Sequence, residues 1–245
     1  TGFLQNNISQ ELKNKHQPIA FIHSSKFNLS KYWRQTFFHD EYQYNAGLFK
    51  MVVGFEKLFK NQDLRNLRGL KLFINHSLLY RDKSTDLVYL LYSGLWSVNK
   101  FNNFINTGIQ KTYPLRGGAG EWTLELRTPG VGADFNYSYL QLTNIHYYTF
   151  KKIELRTRVF ARYGVGNTPF ESALYLAGAS PENLYNNRLT KARGFIPANW
   201  TDFNNTLNHF QMGGGLNLRG YAGYLASITK ENVSYFNFLG KSGAS

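Results

Sequence analysis

The sequence predicts an all-β fold, an antiparallel sheet closed into a transmembrane barrel with a long loop folded into its lumen. Three observations carry that expectation. Side chains alternate between apolar and charged along strand-length segments, turn residues separate the segments, and the composition suits a sheet with one oily and one wet face. Aromatics make up 17% of the 245 residues and charged residues 18%, yet mean hydropathy is −0.40. That charged share is below the roughly 25% usual in soluble domains. A soluble β-sandwich shares such a profile, so the pattern along the chain must decide.

The clearest segment runs from Ile153 to Tyr163. Ile153, Leu155, Val159, Ala161 and Tyr163 fall on one side of a strand, and Glu154, Arg156, Arg158 and Arg162 on the other. Its length matches the ~9–11 residues of a membrane strand. Repeated charges facing a sandwich core would each carry a heavy desolvation cost, whereas a water-filled lumen accepts them. Glu154, Arg156, Arg158 and Arg162 are therefore expected to face a lumen. Trp122, Leu124 and Leu126 lie opposite Glu125 and Arg127, and Phe135, Tyr137 and Tyr139 alternate with Asn136 and Ser138. Leu70, Leu72 and Ile74 alternate with Lys71 and Asn75, with Phe73 out of pattern. Residues 87–109 read as two strands joined near Asn99-Lys100, with Tyr89, Tyr92, Trp96, Phe101 and Phe104 as girdle aromatics. Turn signals stand at Arg81-Asp82-Lys83-Ser84, residues 116–120 and Thr128-Pro129-Gly130. At roughly 20 residues per strand and connection, the chain holds about twelve strands.

Residues 61–245 thus read as barrel strands, with long loop regions near 169–206 and 210–224. Residues 1–60 stand apart, as either a short helix or the first strands. There Leu48, Met51, Val52, Phe55, Leu58 and Phe59 follow helical spacing, so a short amphipathic helix and a strand stand as equal readings. No apolar run approaches the ~20 residues of a membrane helix. Cysteines are absent, which excludes disulfide frameworks and thiolate metal sites.

The formal charge is +13. The cations are spread and interleaved with apolar residues, which suits a wet sheet face or lipopolysaccharide contact rather than nucleic acid. Zinc, nucleophile-elbow, phosphate-loop and dinucleotide signatures are missing, so neither catalytic residues nor a metal or cofactor is expected. The six His lack ligand-like spacing.

The most informative stretch is Gly213-Gly214-Gly215-Leu216-Asn217-Leu218-Arg219-Gly220-Tyr221. Glycines accept positive φ and permit a tight reversal, and an arginine fork can hold carboxylates bidentately. This stretch resembles the motif of the outer-membrane assembly and transport barrels, the BamA-like and surface-antigen superfamily. In that superfamily paired glycines precede an aliphatic-Arg-Gly-aromatic signature on a loop folded into the lumen. The resemblance implies that Gly213, Gly214, Gly215, Leu218, Arg219, Gly220 and Tyr221 form the lumen-loop motif, with Arg219 reaching acidic wall residues. It implies a bacterial outer-membrane location and a role in protein insertion, translocation or membrane anchoring rather than catalysis. The partners would be outer-membrane lipid, lipopolysaccharide, and other envelope or client proteins. The family continues for several strands beyond its motif, whereas this chain ends soon after it at Ser245, so a partial barrel is expected. The string also looks like that of the anchoring barrels of some Bacteroidota peptidase-like envelope proteins, whose catalytic domain would lie upstream. A porin-like channel is the remaining membrane alternative.

Overall fold

The computed structural model describes residues 3–5, 20–29, 31, 35–45, 47–59, 69–82, 95–176, 178–187, 214–218, 227–230, 233–236 and 239–245. It is built on one ten-stranded antiparallel sheet. The first nine strands follow chain order: β1 (Phe3–Gln5), β2 (Ala20–Asn28), β3 (Thr36–Asn45), β4 (Leu48–Phe59), β5 (Gly69–Arg81), β6 (Phe101–Leu115), β7 (Gly118–Pro129), β8 (Tyr137–Phe150) and β9 (Ile153–Gly166). Three short strands follow, β10 (Leu174–Tyr175), β11 (Ser227–Lys230) and β12 (Val233–Phe236). β13 (Leu239–Gly240) pairs with β10, and β14 (Gly243–Ala244) completes the large sheet beside β9. Among the described residues, no helix is long and apolar enough to cross a membrane.

Residues 48–59 are a strand, which resolves the two readings of that segment. Its ladders with β3 and β5 explain the outcome: register places Phe49, Met51, Val53 and Phe55 beside Tyr80, Leu78, His76 and Ile74. Period-2 pairing satisfies the whole backbone there, which a lone helix would not. Of the two strands expected within 87–109, the second is present as β6. Residues 95–100 are irregular, and 83–94 lie outside the described residues. Phe73 is out of the polarity pattern as expected: it lies on the polar face, in one row with Glu56, Gly108 and Glu125.

Connections are on the whole shorter at one end of the sheet, where 29–35, 60–68, 116–117 and 151–152 join the strands, although the two-residue link Ala46-Gly47 between β3 and β4 lies at the other. Arg116-Gly117 joins β6 to β7, with Gly117 at φ 81°, and Lys151-Lys152 joins β8 to β9. At the opposite end the connections from β5 to β6 and from β9 onward are long.

The two faces of the sheet are chemically opposite. One carries Phe55, Ile74, Leu124, Leu126, Leu140, Leu142, Leu155, Val159 and Tyr163, all exposed. Register places Leu124 beside Leu142 and Leu140 beside Tyr163, so these side chains form a continuous apolar surface. Ile153, Leu155 and Val159 are 67%, 56% and 57% exposed. The other face carries Lys26, Glu56, Asn106, Glu125, Arg127, Arg158 and Arg162, with aromatics between them. A later part of the chain covers it: a 3₁₀ turn at Phe170–Ser172, β10, a short helix α1 (Pro181–Tyr185) and residues 214–218. Sheets covered on one side in water place their apolar row beneath the cover. Here the arrangement is reversed.

Beneath the cover lie small mixed clusters, one of Leu48, Leu79, Trp96, Phe104 and Tyr185 and another of Phe160, Leu174 and Leu216. Phe135, Tyr137 and Tyr139 form a third on the same polar face, so these aromatics line the covered side rather than the apolar one. Phe104→Ala should remove about 3–5 kcal/mol by opening a cavity. Thermal unfolding followed by β-sheet circular dichroism checks this; an unchanged midpoint would contradict the packing.

Candidate functional site: the charged latch on the covered face

The covering segment is held by charge. Arg127 sits in the middle of the covered face, 5% exposed. Its guanidinium meets Glu182 of α1 bidentately, Nη1 to Oε2 at 2.8 Å and Nη2 to Oε1 at 2.9 Å. Nε donates to Asn106 Oδ1 at 2.8 Å, and Nη1 also reaches the Tyr137 hydroxyl at 3.2 Å. The Phe104 and Tyr139 rings lie 3.7 and 5.0 Å from the guanidinium carbon. Arginine suits this position because its planar fork matches a carboxylate while its faces stack on rings.

Local sequence explains how Glu182 arrives there. Ser180 caps α1, its side chain accepting from the Asn183 amide at 3.3 Å, and Pro181 occupies the first turn, where its missing N–H costs nothing. The cap fixes the start of the helix and aims Glu182 at the sheet. Ser172 Oγ donates to Glu182 Oε2 at 2.7 Å, and Asn102 Nδ2 donates to Ser172 Oγ and Glu171 Oε1 at 3.0 and 3.1 Å. Glu171 Oε2 accepts from Ser97 Oγ at 3.0 Å. At the far side of α1, Lys50 bridges Glu41 and Asn186, and the Tyr185 hydroxyl donates to the Leu48 carbonyl.

The glycine run docks beside this latch. Arg158 Nη1 donates to the Gly215 carbonyl at 2.9 Å and Nη2 to that of Gly214 at 3.4 Å, with Phe160 under its guanidinium. Leu216 and Leu218 amides donate to the Tyr175 and Leu176 carbonyls. A Cβ at Gly215 would lie 2.3 Å from the carbonyl oxygens of both Gly178 and Tyr175, so only glycine permits this approach. Arg162 packs 4.1 Å from the Tyr139 ring centroid and donates through Nε to Gln141 at 2.9 Å.

Of the expected site residues, Gly214, Gly215, Leu218, Arg158 and Arg162 come together on the covered face. Glu154 and Arg156 share that face but lie exposed toward the Lys151-Lys152 hairpin. Gly213, Arg219, Gly220 and Tyr221 lie outside the described residues. The bidentate carboxylate grip expected of Arg219 is seen at Arg127. Sequence reasoning had Arg127 in an alternating strand but missed Glu182, although Ser180-Pro181-Glu182 carries a helix-start signature inside a segment read as loop. Among the described residues, no group of three or more His, Asp or Glu is placed to hold a metal ion. No family model, curated protein or solved structure matches this chain.

The two buried carboxyls respond oppositely to pH. Burial drives Glu182 upward, but attraction to Arg127, its hydrogen bonds and those of Ser172, and the charge of Lys50 outweigh that and hold it below the usual carboxylate range. A depressed folded pKa contributes stability above the unfolded value, lost as pH falls through the folded one. Glu171 is pushed up by burial, which the hydrogen bonds from Ser97 and Asn102 only partly offset. A raised folded pKa favours the folded state at low pH, and that contribution disappears as pH rises through it.

Three outcomes are expected. Glu182→Gln leaves Arg127 buried without its counter-charge and should cost on the order of 3–5 kcal/mol, whereas the double change Arg127→Met with Glu182→Leu should cost much less; unfolding free energies of the three proteins test this. Proteolysis within 169–187 should rise in the native protein as pH drops below about 4. In Glu171→Gln, stability measured from pH 5 to 8 should vary less with pH than in the native protein.

Proposed function

We propose that the chain forms a bacterial outer-membrane β-barrel wall of the BamA-like kind, plugged from within, and serves protein insertion, translocation or membrane anchoring. The observation that carries the reading is the reversed polarity of the sheet: an exposed apolar face outside, and a buried, charge-latched cover on the polar face. Exposed apolar patches beyond a few hundred Å² mark membrane or protein contact. Strands of 9 to 15 residues in β2–β9 are long enough for a bilayer crossed at a tilt. The cover packed on the polar side favours a plugged barrel over an open pore. Its grip on Arg127 and Arg158, through α1 and the carbonyls of Gly214 and Gly215, is what a counterpart of the family's inward-folded loop would make.

The test is refolding of the full chain into lipid vesicles. The native protein should insert and give low conductance, whereas Glu182→Ala, which frees the cover, should give larger and more frequent openings. Leu155→Asp with Val159→Asp should strongly reduce insertion, since a charge on the lipid face of a strand is destabilising. Insertion unaffected by the paired aspartates, or a monodisperse monomer in water without detergent, would overturn the reading.

A further inference from the structure

Among the described residues, the exposed charges are distributed unequally between the two ends of the sheet. At the end that holds the Arg116-Gly117 and Lys151-Lys152 turns and, on the whole, the shorter connections, Lys57, Lys111, Arg116, Lys151, Lys152 and Arg156 are all exposed. The carboxylates described at that end are Glu56, already paired with Lys26, together with Glu121 and Glu154. At the other end, exposed Lys100 and Lys241 are matched by Asp82 and Asp134, while Lys50, Arg81, Arg127, Glu171 and Glu182 are buried.

The cations stand at the border of the apolar face. Register sets Lys111 between Leu70 and Trp122, and Lys57 beside Leu72, on that face. Phe150 and Ile153, 70% and 67% exposed, flank the Lys151-Lys152 turn. Lys57 lies 5.2 Å from the Phe59 ring centroid and Lys151 5.7 Å from that of Phe150. Long basic side chains laid along aromatic surface, with their ammonium groups at its edge, present charge at the depth of lipid head groups.

We propose that this end of the sheet is a docking rim for anionic glycerophospholipid, with Lys111, Lys151 and Lys152 contacting head-group phosphates while Trp122, Phe150 and Ile153 enter the acyl region. The inference rests on the membrane reading above and adds its orientation and lipid preference. Short turns of outer-membrane barrels face the periplasm, so the rim meets the phospholipid leaflet.

The full chain refolded into mixed phosphatidylcholine–phosphatidylglycerol vesicles, probed with spin-labelled lipids at low salt, tests this. Phosphatidylglycerol should be enriched several-fold in the immobilised boundary lipid. Enrichment should fall close to one in Lys111→Gln/Lys151→Gln/Lys152→Gln and at high salt, and should be retained in Lys100→Gln/Lys241→Gln. Equal enrichment in the native protein and the triple variant, or an equal loss in the opposite-end variant, would overturn the rim while leaving the membrane reading intact. Absence of immobilised lipid of either kind would overturn both.

Discussion

A single constraint organises this molecule: successive side chains of a strand point to opposite sides, and here the apolar side points away from the described segments that cover the sheet. Everything else adjusts to that choice. Because the polar side is the one covered, the segment that covers it cannot be bound by apolar burial alone. It is bound by arginine geometry instead. Arg127 gathers a carboxylate from α1, an amide from β6 and two aromatic faces, and Arg158 holds a carbonyl pair from the glycine run. Small apolar clusters fill the spaces between these polar contacts.

Such a latch is a poor source of net stability but a demanding source of geometry. A buried ion pair roughly repays its desolvation, yet removing either partner leaves an uncompensated charge, so the bound position of the cover is sharply defined. The adjacent carboxyl of Glu171 adds the opposite tendency, gaining from protonation where Glu182 gains from ionisation. Two acids on one short segment thus give the cover a pH window rather than a monotonic response.

Strand alternation was the legible part of the sequence. Ile153 to Tyr163 and Glu121 to Thr128 reported their two faces directly, because their even and odd positions differ in kind. Residues 48–59 were ambiguous because Leu48, Met51, Val52 and Phe55 follow helical spacing, whereas in the strand Leu48 and Val52 turn to the covered side and Met51 and Phe55 to the apolar one, which only the neighbouring strands decide. Phe135, Tyr137 and Tyr139 announced a face but not which one, since tyrosine suits an interface and a polar interior equally well. The glycine run was visible as a place for a tight reversal through positive φ, but among its described residues the positive φ falls at Asn217, and Gly215 serves by close backbone approach instead. The Arg127–Glu182 pair was hidden because its members are far apart in sequence and a carboxylate's partner follows from tertiary docking, not local spacing.

In the proposed membrane setting, alternate residues of β9 face hydrocarbon and water. The chain has no cysteine, so single cysteines at positions 153 to 163 can each carry a nitroxide label without background. Collision rates with oxygen, which concentrates in lipid, and with a water-soluble nickel chelate should alternate with a period of two. Positions 153, 155, 159 and 163 should favour oxygen, while 158, 160 and 162 should be shielded from it. Uniform access of the chelate to positions 153, 155 and 159 in reconstituted vesicles would contradict the account.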